Sequence, residues 1–283
     1  MTTRIDFEPG FVRSTMQNAM RTTRRVSVAA QLTMLGLALV GNACGGPPFV
    51  TDDPEPVDYQ HWEFYIASQD SDTYGDWSGT GPHVELNYGV VSNVQLHLIA
   101  PLAYDVPPAG VAHYGYGDTE VGVKFRFVQE TERLPQVGVF PLLEIPTGSG
   151  REHLGTGHLQ GFTPLWLQKS WGEWTAYGGG GYGINSFSVG NQNWWFAGGV
   201  LQKQVLTNVL IGAEVFHQST LQVDFPNVGT AFNVGTVIDL SEQHHLLFSA
   251  GRSIDGPTSF QCYIAYQFTF DNSLFQFVDK PHQ

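Results

Sequence analysis

The residues that could do chemistry in this chain sit at every second position. Glu63, His83, Glu85, Asn87, Gln95 and His97 share one phase of an alternation with apolar neighbours. Glu120, Lys124, Arg126, Glu144 and Glu214 continue that phase further along. His83-Val84-Glu85-Leu86-Asn87-Tyr88 and Val121-Gly122-Val123-Lys124-Phe125-Arg126-Phe127 show it most plainly. Successive side chains of a strand point to opposite faces, so each segment is apolar on one side and polar or charged on the other. Two chemistries fit a polar face turned inward. A surplus of carboxylates along a water path favours cations. Carboxylates paired across neighbouring strands, with Lys124 and Arg126 against Glu120, Glu85 or Glu144, form a structural lattice. Charges inside a narrow space must be hydrated or paired, so the lattice carries the greater weight.

Other groups invite sharper readings. His244-His245, His217 with Ser219, and Glu152-His153 with His158 could suggest a hydrolase. None has the spacing of a helical zinc motif or a serine-nucleophile motif. His217-Gln218-Ser219 also lacks an evident Asp or Asn to orient it. The expectation is no catalytic residue, no enzyme and no cofactor. Asp70, Asp72 and Asp76 have the oxygen ligands that calcium or magnesium prefers. No Asp-x-Asp-x-Asp-Gly loop is present, so a solvated loop without metal is expected. Gly178 to Gly181 with Gly183 lack the following Lys and the strand–helix context of a phosphate loop. Glycines in a strand mark a bend or a close backbone approach. The wall is expected to kink there, or the N-terminal segment or a loop to pack against it.

The elements that position these residues read as strands. Twelve candidates run over 61–67, 82–90, 94–103, 118–128, 136–145, 159–170, 174–184, 194–204, 208–217, 230–239, 245–252 and 260–270. Many reach the ~9–11 residues that cross a bilayer at a tilt. Their connections alternate. Those near 91–93, 129–135, 171–173, 204–207 and 240–244 are short, and 68–81, 104–117, 146–158, 185–193, 218–229 and 253–259 are long. Outer-membrane barrels have this asymmetry, with short periplasmic turns and long outer loops. An even strand count leaves both ends on the short-turn side. Trp62, Tyr88, Tyr104, Trp171, Trp174, Trp194 and Trp195 fall near strand ends, as interfacial girdles require. Phe260, Cys262, Ile264, Tyr266, Phe268 and Phe270 share one face of the last strand, which ends in an aromatic residue like the strand that barrel-assembly machinery reads.

Composition agrees. Of 283 residues only 14% are charged, against roughly 25% in soluble domains, and 33 are glycine. Beyond residue 44 no apolar run approaches the ~20 residues of a membrane helix. Arg21, Arg24 and Arg25 precede an apolar stretch from Val26 to Val40, and Gly41-Asn42-Ala43 supplies small residues before a cut. This reads as an export signal. Met1 to Ala19 fall outside it, with Met16 and Met20 as alternative starts. Cys44 follows the expected cut. Gly41 replaces the large aliphatic residue that lipid attachment wants, so lipidation at Cys44 is the minor reading. Cys44 and Cys262 are expected to be unpaired thiols. The first 43 residues hold five of the 13 Lys+Arg and two of the 26 Asp+Glu, so the remainder carries a net charge of −16. No basic stripe exists for a nucleic acid.

Longer stretches carry a family resemblance. GPPFVTDDPEPVDYQHWEFYIAS at 46–68, YGYGDTEVGVKFRF at 114–127, FPLLEIPTG at 140–148 and LGTGHLQGFTPLWLQKSWGEWTAYGGGGYG at 154–183 resemble an exported bacterial family labelled "MetA-pathway of phenol degradation". The resemblance implies an outer-membrane β-barrel, often described as a transporter. It brings no catalytic residues. Its label points to aromatic compounds.

The expectation is therefore an all-β chain, a closed antiparallel transmembrane β-barrel of about twelve strands. Residues 1–43 form a cleaved leader and signal, 44–60 an extended N-terminal segment, 61–270 the barrel and 271–283 a tail. Its place is the outer membrane of a Gram-negative cell. Its partners are outer-membrane lipids and lipopolysaccharide, the assembly machinery during biogenesis, and a small solute. Passive passage of aromatic or hydrophobic solutes is the expected activity. The alternatives are a structural barrel with a plugged lumen and, behind it, an outer-membrane hydrolase.

Overall fold

A computed structural model describes residues 47–185, 192–219 and 229–275. The expected signal, the lipidation candidate Cys44 and most of the expected tail lie outside the described residues.

Among the described residues, fourteen strands form one antiparallel sheet. They are β1 (His61–Thr73), β2 (Asp76–Val91), β3 (Val94–Val106), β4 (His113–Tyr116), β5 (Thr119–Val128), β6 (Gln136–Val139) and β7 (Leu142–Ile145). There follow β8 (Gln160–Trp171), β9 (Trp174–Ile184), β10 (Trp194–Leu206), β11 (Val209–Gln218), β12 (Gly229–Asp239), β13 (His244–Asp255) and β14 (Thr258–Asp271). β4 and β5 both pair with β3, and β6 and β7 both pair with β5 and β8, so each couple is one interrupted stave. β1 pairs with β2 on one side and β14 on the other. The result is a closed barrel of twelve staves. Closure leaves no unpaired edge, which a strand in lipid requires.

The alternation decides which face is which. On β2 the inward His83, Glu85 and Asn87 are buried while Val84 is exposed. On β8 the inward Gln160, Pro164, Trp166 and Gln168 are buried while Leu165 and Leu167 face out. Outward leucines, isoleucines, valines and phenylalanines continue around the ring, among them Leu98, Phe125, Ile211, Val234 and Ile264. Near the end where β1 begins and β14 finishes (the inner end), Trp62 stacks on Tyr88 with ring centroids 4.1 Å apart. Trp171 and Trp174 flank the β8–β9 turn and are exposed.

The structure shortens three expected loops, and the one at 104–117 keeps only 107–112 and Gly117 between β3, β4 and β5. Residues 68–81 are not a long loop: β1 and β2 continue to Thr73 and Asp76 and meet in a two-residue turn. Tyr74 (φ 57°) and Gly75 (φ 85°) both take the left-handed conformation of a type I′ hairpin. Residues 253–259 likewise belong mostly to β13 and β14. Ser68 to Thr73 at the end of β1 are polar on both faces, so the apolar alternation fades there while the backbone ladder continues.

One wall seam is weaker than the rest. Pro141 on one side and Pro164 on the other lack an N–H, and the paired register between β6/β7 and β8 skips both. Across that gap, Phe140 N donates to Pro164 O at 3.3 Å.

Candidate functional site

The site is the lumen, and its most consequential occupant is the chain's own N-terminal segment. Asp52, Asp53, Pro54, Glu55 and Pro56 carry too much charge and too many prolines for a strand. Instead the segment crosses the barrel interior, bonded side chain by side chain. Ser249 on β13 donates to Pro48 O at 2.5 Å. Phe49 is buried with Tyr177 and Val200, in a seat floored by Gly212 and Gly235. A Cβ at Gly212 would lie 2.9 Å from the Phe49 ring. Thr51 is fully buried and packs on Gly198, where a Cβ would collide with its hydroxyl. Glu214 accepts from Thr51 N at 2.5 Å, from Val50 N at 3.2 Å and from Asn233 Nδ2 at 2.8 Å.

The only two cations in the sequence-predicted lumenal set also belong to this segment. Lys124 Nζ lies 3.0 Å from Asp52 and 3.8 Å from Asp53. Arg126 lies 3.8 Å from Glu55, whose Oε2 accepts from Gln136 at 3.1 Å and Gln168 at 2.9 Å. Val57 N donates to Gln95 at 2.9 Å. The segment then leaves past Gly89 and enters β1. The cross-strand lattice expected between Lys124, Arg126 and Glu120, Glu85 or Glu144 is therefore not what forms. The carboxylates of residues 52–55 reach these cations through the lumen and displace the wall carboxylates as partners.

Around the segment the two sides of the lumen differ. On one side Phe140, Trp166, Phe196, Phe216 and Ala231 form a buried cluster. Leu142, Phe162 and Trp194 pack on its rim and stay partly open. Phe162 stacks on Trp194 at 4.7 Å. Trp194 thus points into the lumen rather than joining an interfacial girdle.

The other side is a hydrogen-bonded network. Asn87 donates to Glu85 at 2.8 Å, which turns its carbonyl oxygen toward His97 Nδ1 at 2.7 Å. His97 Nε2 faces Glu120 at 3.0 Å. Both ring nitrogens face acceptors, the arrangement an imidazolium suits. Tyr65 donates to Glu63 at 2.8 Å and accepts from Gln267 at 2.8 Å. His83 meets Thr80 at 2.8 Å. Glu144 stands directly opposite Glu120 across β5 and β7.

Most of the remaining candidates have ordinary partners. His245 pairs with Asp239 at 2.7 Å, His244 with Tyr266 at 2.5 Å and His217 with Thr230 at 2.9 Å. His158 meets Asn185 at 2.5 Å. Asp70 accepts from Tyr104 at 2.5 Å, and Asp72 accepts from Gly75 N and Ser259. Among the described residues no group of three or more His, Cys, Asp or Glu could hold a metal ion. Gly178 to Gly181 do not receive the N-terminal segment. They are pressed against neighbouring backbone, Gly178 and Gly180 on β10 and Gly179 and Gly181 on β8.

No family model and no curated protein matches the chain. Solved structures do. The COG4313 outer membrane channel from Pseudomonas putida F1 is 16% identical, with a TM-score of 0.63, over 77% of this chain and 98% of that one. The fold is that of an outer-membrane β-barrel. The translocator domain of autotransporter NalP from Neisseria meningitidis is 10% identical with a TM-score of 0.42, over 91% of this chain and 98% of that one. OmpF of Salmonella typhi, solved with daunomycin, is 7% identical with a TM-score of 0.38, over 74% and 96%.

Proposed function

We propose that this chain is an outer-membrane channel for small hydrophobic solutes, aromatic ones included, and that its N-terminal segment is the barrier at the inner end. One observation carries the reading: around a segment held by charge, the lumen is packed with aromatic rings on one side. A hydrophobic solute can replace one ring contact by another without loss. A hydrated ion meeting the same cluster must shed water against apolar carbon, at a cost of several kcal/mol.

The reading includes export through a signal ending at Ala43, short turns in the periplasm, and lipid and lipopolysaccharide around the apolar outer face. The resemblance to the "MetA-pathway of phenol degradation" family and the fold of the Pseudomonas channel support it. Glu63, His83, Glu85, His97, Glu120 and Glu144 form a fixed polar wall in this scheme, while Lys124, Arg126 and Glu214 hold the barrier. The second reading, a structural barrel whose filled lumen never opens, is favoured by the same burial of Trp166 and Phe196.

Uptake separates the two. In Gram-negative cells with an intact lipopolysaccharide leaflet, the protein should speed entry of radiolabelled naphthalene, while the purified barrel in a planar bilayer conducts ions weakly. Unchanged naphthalene entry beside a folded, surface-exposed barrel would leave the structural reading standing.

A further inference from the structure

The aromatic side, the polar side and the N-terminal segment meet at one ring. Phe140 is buried in the aromatic cluster. Lys124 Nζ sits over its face, 5.0 Å from the centroid, and His97 meets it edge to face at 5.2 Å. Lys124 is the same ammonium that holds Asp52 and Asp53. Phe140 also lies at the weak seam, next to Pro141 and opposite Pro164, where its backbone is tied by the single 3.3 Å bond to Pro164 O.

We propose that Phe140 is the positioning residue that couples a solute in the aromatic cluster to release of the N-terminal segment. The inference rests on the solute-path reading above. A small neutral aromatic solute entering past Trp194 and Phe162 competes for the surfaces that hold the Phe140 ring. Displacing that ring takes away the face beneath Lys124. A buried ammonium keeps its place only while its partners are complete, and a ring face is one of them. With the face gone, Lys124 shifts and its hold on Asp52 and Asp53 loosens. The element with two states is the segment itself, docked or undocked, and Phe140 with Lys124 is the junction through which the cluster biases it.

The test reads docking directly. Thr51→Cys is placed in the full processed chain with Cys44→Ser and Cys262→Ser, reconstituted in lipid. Thr51 is fully buried when docked, so the rate of modification by a water-soluble maleimide reports undocking. The probe is nitrobenzene, a small neutral aromatic whose binding is followed separately by saturable quenching of indole fluorescence, with Trp166→Phe as control.

Lys124→Met should raise the modification rate about tenfold, the decade expected when a charge-assisted hydrogen bond is removed. Nitrobenzene should raise it several-fold in the parent and leave it unchanged in Phe140→Leu, while quenching persists in both. It should also lose its effect on Lys124→Met, which removes the other half of the pair without touching Phe140. Saturable quenching with no acceleration in the parent, or equal acceleration in Phe140→Leu, overturns the coupling. Absence of saturable quenching overturns the solute-path reading, a separate failure visible before any labelling is done.

Discussion

On the β6–β11 side of the lumen the inward positions hold Phe140, Phe162, Trp166 and Phe196; on the β14–β3 side equivalent positions hold Gln267, Glu63, Glu85 and His97. Apolar contact is non-directional, so rings on the first side can exchange partners and stay satisfied. Hydrogen bonds on the second side are specific, and moving one member leaves a buried group unpaired at about 1–3 kcal/mol. The difference teaches which half of the wall can yield to a solute and which half is a fixed frame. The N-terminal segment is bonded to both: Lys124, Arg126 and Gln95 grip one part of it, Glu214 and the Phe49 seat the other.

Cutting that bridge should have the largest effect. Glu214→Ala removes the acceptor of three N–H groups, two of them from the segment. Breaking a buried charged anchor of this kind costs up to about 5 kcal/mol. The expected outcome is loss of hydrogen-exchange protection at Val50 and Thr51 and a rise in ion conductance, with the barrel still folded. Unchanged protection would mean that Phe49 and Lys124 hold the segment without Glu214.

The next changes set the two sides against each other. Trp166→Ala deletes the most buried ring of the cluster, at about 3 kcal/mol toward urea unfolding, the low end for such truncations. On the yielding side, the vacated volume should also speed naphthalene entry. Gln267→Leu leaves the buried Tyr65 hydroxyl without its donor and should cost about 2 kcal/mol without changing naphthalene entry. If Gln267→Leu opens the path as much as Trp166→Ala, the division into a yielding and a fixed side is wrong.

Much of the frame is legible in the sequence, because the polar side alternates with apolar neighbours. His83, Glu85, Asn87 and His97 declare their face by their type. The aromatic side does not. On β8, Phe162, Pro164 and Trp166 point inward while Leu165 and Leu167 point outward, so both faces are apolar and period two carries no contrast. The partners of Lys124 and Arg126 are hidden for another reason. Cross-strand neighbours can be counted from the register, whereas Asp52 and Glu55 reach them through the lumen from more than seventy residues away. The signal available is charge: a segment reading Asp-Asp-Pro-Glu-Pro, ahead of a barrel whose inward face has two cations. The glycines mislead in the same way. The conspicuous run at Gly178 to Gly181 packs on wall strands, while Gly198, Gly212 and Gly235, outside that run, make room for the segment.

A change outside the lumen sets the baseline for all of these. Tyr74 holds a left-handed conformation (φ 57°) at the tip of the β1–β2 hairpin and is 82% exposed. A tyrosine there stores about 1 kcal/mol of backbone strain that asparagine largely avoids. Tyr74→Asn should therefore raise urea stability by up to that amount, because the exposed ring has little packing to give up. It should leave naphthalene entry, Thr51 protection and conductance where they were, because neither lumen side touches the tip. A shift in conductance from this substitution would show that the outer hairpin shares in the barrier, and the contrast drawn between the two lumenal sides would then have to include a third region.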